Sequence, residues 1–277
     1  MTVGSLFAGI GGFDLGFERA GFEIKWQVEI DEYCQRVLAK HWPHVRRYGD
    51  IRAIDWSRVE PVDVVCGGFP CQPHSLAGKR AGASDERDLW PEFRRCIRGV
   101  KPGWIVAENV SGLLSNDAGR FFGGVLRDLA EGGRSVEWDC IPASAVGTDH
   151  IRDRVWILAH AGRERSSERM HEAVIGGIST EDTQARRSPD GVHASTDATY
   201  SERGERSLGR PAGRVRRFGQ SFPRHGRWEI TSEPVLGRGE DGIPNRLDRL
   251  RGLGNAVMPQ IPEWIAHRIK EAEGLTA

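Results

Sequence analysis

A cysteine lies on a turn rich in glycine and proline. Residues 67–73 read Gly-Gly-Phe-Pro-Cys-Gln-Pro and follow an apolar run, Val62 to Cys66, that we predict to be a strand. Proline restricts φ and glycine lets another molecule approach the backbone, so this turn can present the thiol of Cys71 to a substrate as a nucleophile. A free cysteine is otherwise usually a small core residue, and to that class we assign Cys34, Cys66, Cys96 and Cys140.

Three charged residues adjoin two later apolar runs. Glu108 follows the run Trp104 to Ala107, and a carboxylate at such a strand end faces the ligand crevice of an α/β sheet. If burial raises its pKa, this carboxyl can hold a proton and donate it to a ring nitrogen; a helix-capping or salt-bridging acid is the alternative. Arg152 and Arg154 lie next to the run Val155 to Ala159, and strand alternation places both guanidiniums on one face.

A glycine-rich turn follows the first apolar run. Residues 5–14 read Ser-Leu-Phe-Ala-Gly-Ile-Gly-Gly-Phe-Asp, with Asp14 where a dinucleotide-binding turn needs its last glycine. Glu29, at the end of the next apolar run, can accept hydrogen bonds from ribose hydroxyls. The pattern favours an adenosyl ligand without a pyrophosphate, and a simple tight turn is the alternative.

Short β-rich runs alternate with helical patterns between residues 3 and 160. The predicted strands are Val3 to Phe7, Phe22 to Glu29, Val62 to Cys66, Trp104 to Glu108 and Val155 to Ala159. The predicted helices are Phe13 to Ala20, Glu32 to His41, Leu89 to Gly99 and Phe121 to Glu131. This alternation indicates an α/β fold with a largely parallel sheet, helices on both faces and ligands at the carboxyl ends of the strands.

Composition and charge exclude several classes of protein. The 277 residues carry 39 Lys and Arg against 39 Asp and Glu, which excludes a uniformly basic nucleic-acid coat. The five cysteines form no C-x-x-C pair, so neither a disulfide framework nor a metal site is favoured. The sequence has no apolar run of about 18 residues and no secretory signal pattern, and we therefore expect a cytoplasmic protein with no membrane partner.

The composition changes after His160. Residues 161–228 contain thirteen arginines, no lysine and nine acidic residues, and eight of the arginines fall within residues 200–228. This stretch is either a loop that faces phosphates or a solvated insertion. Regular patterning returns beyond residue 241. The apolar residues of a predicted final helix repeat at helical spacing: Ile261, Trp264, Ile265 and Ile269.

Taken together and in this order, the motifs resemble those of the cytosine-5 DNA methyltransferase family. The matching motifs are Phe7-x-Gly9-x-Gly11-Gly12, Glu29, Gly49-Asp50-Ile51, Gly68-Phe69-Pro70-Cys71-Gln72, Glu108-Asn109-Val110, Arg152-x-Arg154 and Gly254-Asn255-Ala256-Val257. The resemblance covers about residues 1–160 and 242–270. Ser5 and His150 depart from it, since the family often has an acid at the first position and usually a glutamine at the second.

The resemblance implies a methyltransferase that uses S-adenosyl-L-methionine as its cofactor and needs no metal. It implies that Cys71 adds to C6 of a cytosine flipped out of duplex DNA, while Glu108 stabilises the adduct at N3 and Arg154, beside Arg152, holds O2. The implied cofactor residues are Phe7, Gly9, Gly11, Gly12, Glu29, Ile30, Asp50, Ile51, Asn255 and Val257. The candidate DNA contacts are Ser75, Arg87, Arg214, Arg216 and Arg217.

The resemblance also implies a division of the chain. Residues 1–160 form a Rossmann-like catalytic and cofactor-binding domain, residues 161–241 a small, partly irregular target-recognition insertion, and residues 242–277 a segment that returns to the catalytic domain. We expect a monomer that binds double-stranded DNA, with a cognate restriction endonuclease as a candidate partner. Three alternatives stay open: a DNA-binding relative that lacks turnover or depends on a partner, an RNA cytosine-5 methyltransferase, and a nicotinamide oxidoreductase.

Overall fold

The computed structural model describes residues 1–70, 88–146, 152–161, 215–217 and 252–275. Five residues singled out from the sequence lie outside the described residues: Cys71, Ser75, Arg87, His150 and Arg214. Arg216 and Arg217 are described only as part of a strand backbone.

One sheet forms the centre of the described part of the chain. Its eight strands are β1 (Thr2–Leu6), β2 (Glu23–Val28), β3 (Arg46–Tyr48), β4 (Val64–Gly68), β5 (Trp104–Val110), β6 (Arg134–Pro142), β7 (Asp153–Ala161) and β8 (Val215–Arg217). Their order across the sheet is β3-β2-β1-β4-β5-β7-β6-β8. The strands from β3 to β5 in this order are parallel, β7 is antiparallel to both β5 and β6, and β8 is parallel to β6.

Helices cover both faces of the sheet, as the sequence predicts. They are α1 (Gly12–Arg19), α2 (Glu32–His41), α3 (Trp90–Val100), α4 (Arg120–Glu131) and α5 (Gln260–Ala272). Neighbouring residues of β5 enter different cores, because successive side chains of a strand point to opposite faces. Ile105 packs in a cluster with residues of α3 and α4, whereas Val106 packs in a second cluster with residues of α1 and α5.

The sequence patterns placed four helices and five strands to within a few residues, predicted the final helix that the structure has as α5, and missed three strands. The prediction of a largely parallel sheet is confirmed from β3 to β5, while the predicted strand at 155–159 runs antiparallel within β7. A connection of only ten residues joins β6 to β7, and a connection this short suits antiparallel pairing. The alternating apolar and polar residues of Ser135 to Ile141 are the sequence signal of β6, which lies outside the predicted strands.

Two glycines of α1 let the segment before α5 pack directly on this helix. A Cβ at Gly12 would lie 2.3 Å from the carbonyl oxygen of Val257, and a Cβ at Gly16 would lie 2.4 Å from that of Pro259. Lys270 on α5 also donates a hydrogen bond to the carbonyl of Ala20 at 3.2 Å. The C-terminal segment therefore lies beside the glycine-rich turn; the division of the chain into three ranges stays a prediction. In the described residues no helix has the length and apolar character that a membrane span requires.

Candidate active site

The glycine-rich turn between β1 and α1 is tightly bent. Phe7, Gly9 and Gly11 all have positive φ, of 51°, 55° and 90°. Glycine tolerates this conformation without strain, whereas Phe7 adopts it as a non-glycine residue. A Cβ at Gly11 would also lie 2.4 Å from the Trp42 ring. The Trp42 ring therefore packs directly against the turn, whose backbone lies at the carboxyl end of β1.

Glu29 joins this turn to the end of β2. Its Oε2 accepts a hydrogen bond from the backbone N–H of Gly9 at 2.7 Å, and its Oε1 accepts one from the N–H of Asp31 at 2.8 Å. Each carboxylate oxygen keeps a further lone pair, so Glu29 can also accept hydrogen bonds from two adjacent hydroxyls. Ile30, beside it, is 63% exposed and offers an apolar surface to a flat ring.

Asp50 and Ile51 begin a 3-10 turn, Ile51–Ala53, after β3. The Asp50 carboxylate accepts the backbone N–H of Arg52 and pairs with its guanidinium at 2.9 Å, and these contacts lower the pKa of Asp50, with the side-chain hydrogen bond as the largest cause. Ile51 is buried in the core, and its backbone is thus the part that can reach a ligand.

The segment before α5 borders the same region. A Cβ at Gly252 would lie 3.3 Å from Cγ2 of Ile10 and 3.5 Å from Cε1 of Tyr33, in the glycine-rich turn and in α2. Asn255 is exposed and Val257 is half-buried against the core. The structure thus gathers residues from the ends of β1 and β2 and from the C-terminal segment around one region.

Glu108 lies near the end of β5, two strands away from β1 in the sheet. It is 9% exposed, and its Oε1 pairs with Nε of Arg154 on β7 at 3.0 Å. Burial raises the pKa of Glu108 to about 7, although the charges of Arg154 and Arg152 lower it. A Cβ at Gly68 would lie 2.8 Å from Glu108 Oε2, so a glycine at the end of β4 leaves room for this carboxyl.

Arg152 and Arg154 lie close together, as strand alternation predicts. The charges of both guanidiniums lower the pKa of Glu108. Burial, together with the charge of Arg154, lowers the pKa of Arg152. Arg154 also donates to the carbonyl of Asp153 at 2.9 Å. The site therefore combines a carboxyl that can hold a proton near neutral pH with two cations that suit an acceptor oxygen.

Asn109, which sequence reasoning left without a role, connects β5 to the end of β4. Its Nδ2 donates to the backbone carbonyl of Phe69 at 2.8 Å, and its side chain is buried. Phe69 is followed by Pro70 and Cys71. A polar residue that continues a buried strand directly after Glu108 is the signal that could have indicated this role.

A second buried polar cluster lies beneath the glycine-rich turn. Asp14, with no exposed surface, accepts hydrogen bonds from Ser5 Oγ at 3.1 Å and from Gln27 Nε2 at 2.8 Å. Burial raises the pKa of Asp14 to about 6, against the opposing effect of these two hydrogen bonds. Ser5, which departs from the family pattern, and Asp14, which stands where a dinucleotide-binding turn has its last glycine, thus contact each other in the core.

Arg216 and Arg217 belong to the edge strand β8, where their backbones pair with Glu137 and Trp138 of β6. Ser75, Arg87 and Arg214, the other candidate DNA contacts, and Cys71, the candidate nucleophile, lie outside the described residues. Within the described ranges, no group of three or more His, Cys, Asp or Glu side chains could hold a metal ion.

The sequence matches the model of the C-5 cytosine-specific DNA methylase family over residues 1–200. Among similar proteins, the type II methyltransferase M.Eco47II of Escherichia coli is 44% identical over 122 residues, which cover 43% of this chain and 29% of that protein. The type II methyltransferase M.Bsp6I of Bacillus sp. (strain RFL6) is 36% identical over 162 residues, which cover 57% of this chain and 51% of that protein.

The fold is similar to that of a DNA modification methyltransferase encoded within an Escherichia coli prophage. The two structures superpose with a TM-score of 0.50 and 27% sequence identity, over 58% of this chain and 46% of the other. The chain spans about half the length of these two methyltransferases, or less. Since the family model matches well over half of the chain, the protein belongs to the C-5 cytosine-specific DNA methylase family.

Proposed function

We propose that the chain is an S-adenosyl-L-methionine-dependent methyltransferase that modifies C5 of a cytosine in duplex DNA. The observation that carries the proposal is the environment of Glu108, a buried carboxyl with a pKa of about 7 that pairs with Arg154. It lies beside β4, the strand that leads to Cys71. An acid that keeps its proton near neutral pH is what addition of a nucleophile to a cytosine ring requires.

The residues around the glycine-rich turn fit the cofactor. Glu29 would accept the two ribose hydroxyls, and the exposed Ile30 would contact one face of the adenine. Asp50 and the backbone of Ile51 would reach the edge of the adenine, with Phe7, Asn255 and Val257 completing the pocket. Gly9, where nothing lies near an added Cβ, would admit the ligand close to the main chain, and the backbones of Gly11 and Gly12 would line the same pocket. When bound, the cofactor supplies an electrophilic methyl group.

The protein must make cytosine C5 nucleophilic, because this carbon is too electron-poor to attack a methyl group directly. The Cys71 thiolate forms a bond to C6, and the displaced electron pair moves through C5 and C4 to N3. N3 takes the proton that Glu108 holds, which leaves an enamine with a nucleophilic C5.

The later steps reverse this addition. C5 would take the methyl group as the bond between the methyl carbon and the sulfonium sulfur of the cofactor breaks, with S-adenosylhomocysteine as the leaving group. Loss of the C5 proton to solvent would then break the bond between Cys71 and C6 by elimination. The N3 proton returns to Glu108 as the ring regains its C5=C6 double bond. Arg154, supported by Arg152, holds O2 throughout and keeps the ring oriented.

The DNA contacts follow from the need to expose the base. A cytosine within the duplex must flip out of the stack, which costs a few kcal/mol that contacts to flanking phosphates can offset. Ser75, Arg87, Arg214, Arg216 and Arg217 are our candidates for these contacts, and residues 161–241 are our candidate for base recognition. A monomeric state, a cognate restriction endonuclease and a cytoplasmic location belong to the same proposal.

The proposal is tested by mapping 5-methylcytosine in the DNA of a bacterial host that lacks cytosine methylation. The host expresses the wild type, Cys71→Ser or the matched control Cys140→Ser, which alters a half-buried cysteine on β6. We expect a recurrent modified sequence with the wild type and the control and none with Cys71→Ser, because a hydroxyl is a far poorer nucleophile near neutral pH.

Other outcomes select the alternatives. Folded wild-type protein that binds duplex DNA and modifies none of it would identify a DNA-binding relative without turnover. Methyl transfer to tRNA in preference to duplex DNA, in a competition assay with labelled cofactor, would identify an RNA methyltransferase. A rise in thermal stability with a nicotinamide cofactor and not with S-adenosyl-L-methionine would favour an oxidoreductase.

A further inference from the structure

The guanidinium of Arg95, on α3, donates hydrogen bonds to three backbone carbonyls of the segment after β3. Nη1 donates to the carbonyl of Ile54 at 2.6 Å, and Nη2 donates to those of Ile51 at 2.7 Å and Arg52 at 3.2 Å. The Glu92 carboxylate accepts from Nε at 2.7 Å on the same helix. Charge-assisted hydrogen bonds are stronger than neutral ones, and the three that Arg95 makes to carbonyls all end within residues 51–54.

The packing of α3 supports this arrangement. A Cβ at Gly99 would lie 2.4 Å from Cβ of Trp56, so the helix approaches the segment after β3 as closely as a glycine allows. At its other end, the Phe93 ring contacts the rings of Phe7 at 6.4 Å and Phe69 at 6.2 Å between centroids. One helix therefore contacts three parts of the proposed site. They are the turn after Asp50, Phe7 in the glycine-rich turn, and Phe69 before Cys71.

We propose that Arg95 is a positioning residue for the adenine side of the cofactor site. By holding the carbonyls of Ile51, Arg52 and Ile54, it fixes the turn from which Asp50 and the Ile51 backbone reach the ligand. The inference rests on the proposed function, because the ligand is the cofactor of that function. Lysine could not replace the arginine fully, since a single ammonium cannot present donors in the fork that these carbonyls occupy.

The test compares Arg95→Ala and Arg95→Lys with Arg94→Ala in the full chain. Arg94 is a matched control because it lies on the same helix, its side chain is 34% exposed against 39% for Arg95, and its ion pair joins Asp128 on α4 rather than the turn. Calorimetry measures the Kd for S-adenosylhomocysteine, and steady-state kinetics separate KM for the cofactor from kcat. Hydrogen exchange of the amides of Ala53 and Ile54 reports the turn without any ligand.

We expect Arg95→Ala to raise the Kd and KM for the cofactor by about tenfold, with kcat at saturating cofactor and affinity for DNA within about twofold of wild type. The Kd and KM of Arg95→Lys should lie between those of wild type and Arg95→Ala. Hydrogen exchange at Ala53 and Ile54 should be faster in both Arg95 variants, while Arg94→Ala leaves all these values unchanged. An unchanged Kd in Arg95→Ala, or an equal rise in Arg94→Ala, overturns the inference. If Arg95→Ala does not fold, Arg95→Lys decides by the same two measurements.

Failure of the proposed function has a different signature. Wild-type protein that is folded but neither binds S-adenosylhomocysteine nor methylates DNA overturns the proposed function and, with it, the inference. Wild-type protein that does both, alongside an Arg95→Ala variant with unchanged cofactor affinity, overturns the inference alone.

Discussion

The side-chain amide of Asn109 on β5 donates a hydrogen bond to the backbone carbonyl of Phe69, just beyond β4, at 2.8 Å. The neighbouring residue on β5 is Glu108, and the chain after Phe69 leads through Pro70 to Cys71. One strand therefore carries the proposed acid and also holds the chain that presents the proposed nucleophile. We therefore expect this contact to set the position of Cys71 relative to Glu108.

Removal of this contact should slow methyl transfer. Asn109→Ala leaves a buried carbonyl without its donor, which should lower the free energy of unfolding by about 1–3 kcal/mol. It should also lower kcat by about tenfold or more, because small displacements of reacting groups are costly, while the Kd for S-adenosylhomocysteine changes little. Urea unfolding measures the free energy of unfolding, single-turnover kinetics measure methyl transfer, and calorimetry measures the Kd. Ser111→Ala, exposed in the following turn, is the control, and a wild-type kcat in Asn109→Ala would contradict the assignment.

The space beside Glu108 depends on the absence of a side chain at residue 68. In Gly68→Ala the new Cβ would lie 2.8 Å from Glu108 Oε2, so the carboxyl or the end of β4 must shift. We expect a loss of methyl transfer with cofactor binding retained. Gly103→Ala is the matched control, because its Cβ would meet the nearest atom, the Asp63 carbonyl oxygen, at an ordinary 3.5 Å. Equal activity of the two variants would show that Glu108 needs no fixed position.

The pKa of Glu108 predicts how the reaction depends on pH. Burial raises this pKa to about 7, so the fraction of the carboxyl that carries the proton for N3 falls as the pH rises through that value. Formation of the Cys71 thiolate has the opposite dependence, and together they predict a bell-shaped profile of the single-turnover rate. Glu108→Gln, which cannot titrate, should transfer methyl groups far more slowly and lose the decline on the alkaline side. A decline that persists in this variant would assign it to another group.

The buried Asp14 predicts a pH-dependent stability. Its pKa is raised from 3.8 to about 6 in the folded protein, so the folded state binds its proton more tightly than the unfolded state does. The contribution of Asp14 to stability is therefore fully present below about pH 4 and is lost as the pH rises through about 6, by up to about 3 kcal/mol. Asp14→Asn keeps a carbonyl for Gln27 and an amide for Ser5 and cannot ionise. We expect this variant to match wild type near pH 4 and to exceed its stability above about pH 6.

Urea unfolding at these pH values measures the difference. Asp55→Asn is a control of opposite sign, because hydrogen bonds from Ser57, first from the side chain and then from the backbone, lower the pKa of the exposed Asp55. Because the folded state favours the ionised form of Asp55, Asp55→Asn should lose stability at the pH values where Asp14→Asn gains it. A wild-type stability curve in Asp14→Asn would mean that the buried carboxyl is solvated or paired in solution.

Packing of the C-terminal helix α5 on α1 should depend on Gly16. In Gly16→Ala the Cβ would lie 2.4 Å from the backbone oxygen of Pro259 and 2.7 Å from Cγ of Pro262. The Pro259 backbone and the rigid ring of Pro262 cannot yield as a flexible side chain can, so we expect α5 to separate from α1 and the melting temperature to drop by several degrees. Gly123→Ala on α4, where nothing lies near the added Cβ, should be neutral or stabilising in the same thermal scan.

Local chemistry determined much of the fold and of the proposed site. The predicted bounds of α2, Glu32 to His41, agree with the structure because Asp31 caps its first turn and the apolar periodicity lies within the segment itself. The glycine-rich turn, Glu29 and Glu108 could be assigned because they directly follow strands, and strand ends in an α/β sheet face ligands.

The tertiary structure alone decided which distant residues contact one another. Asn109 and Phe69 are 40 positions apart, and Arg95 lies 41 positions from the Ile54 carbonyl that it holds. Such contacts depend on strand order and on the register between neighbours, which a pattern within a single strand does not contain. The insertion of β7 between β5 and β6 brings Arg154 to Glu108 and so creates the buried ion pair. The sequence therefore determined the kinds of groups available for chemistry, while long-range packing determined their protonation and their partners.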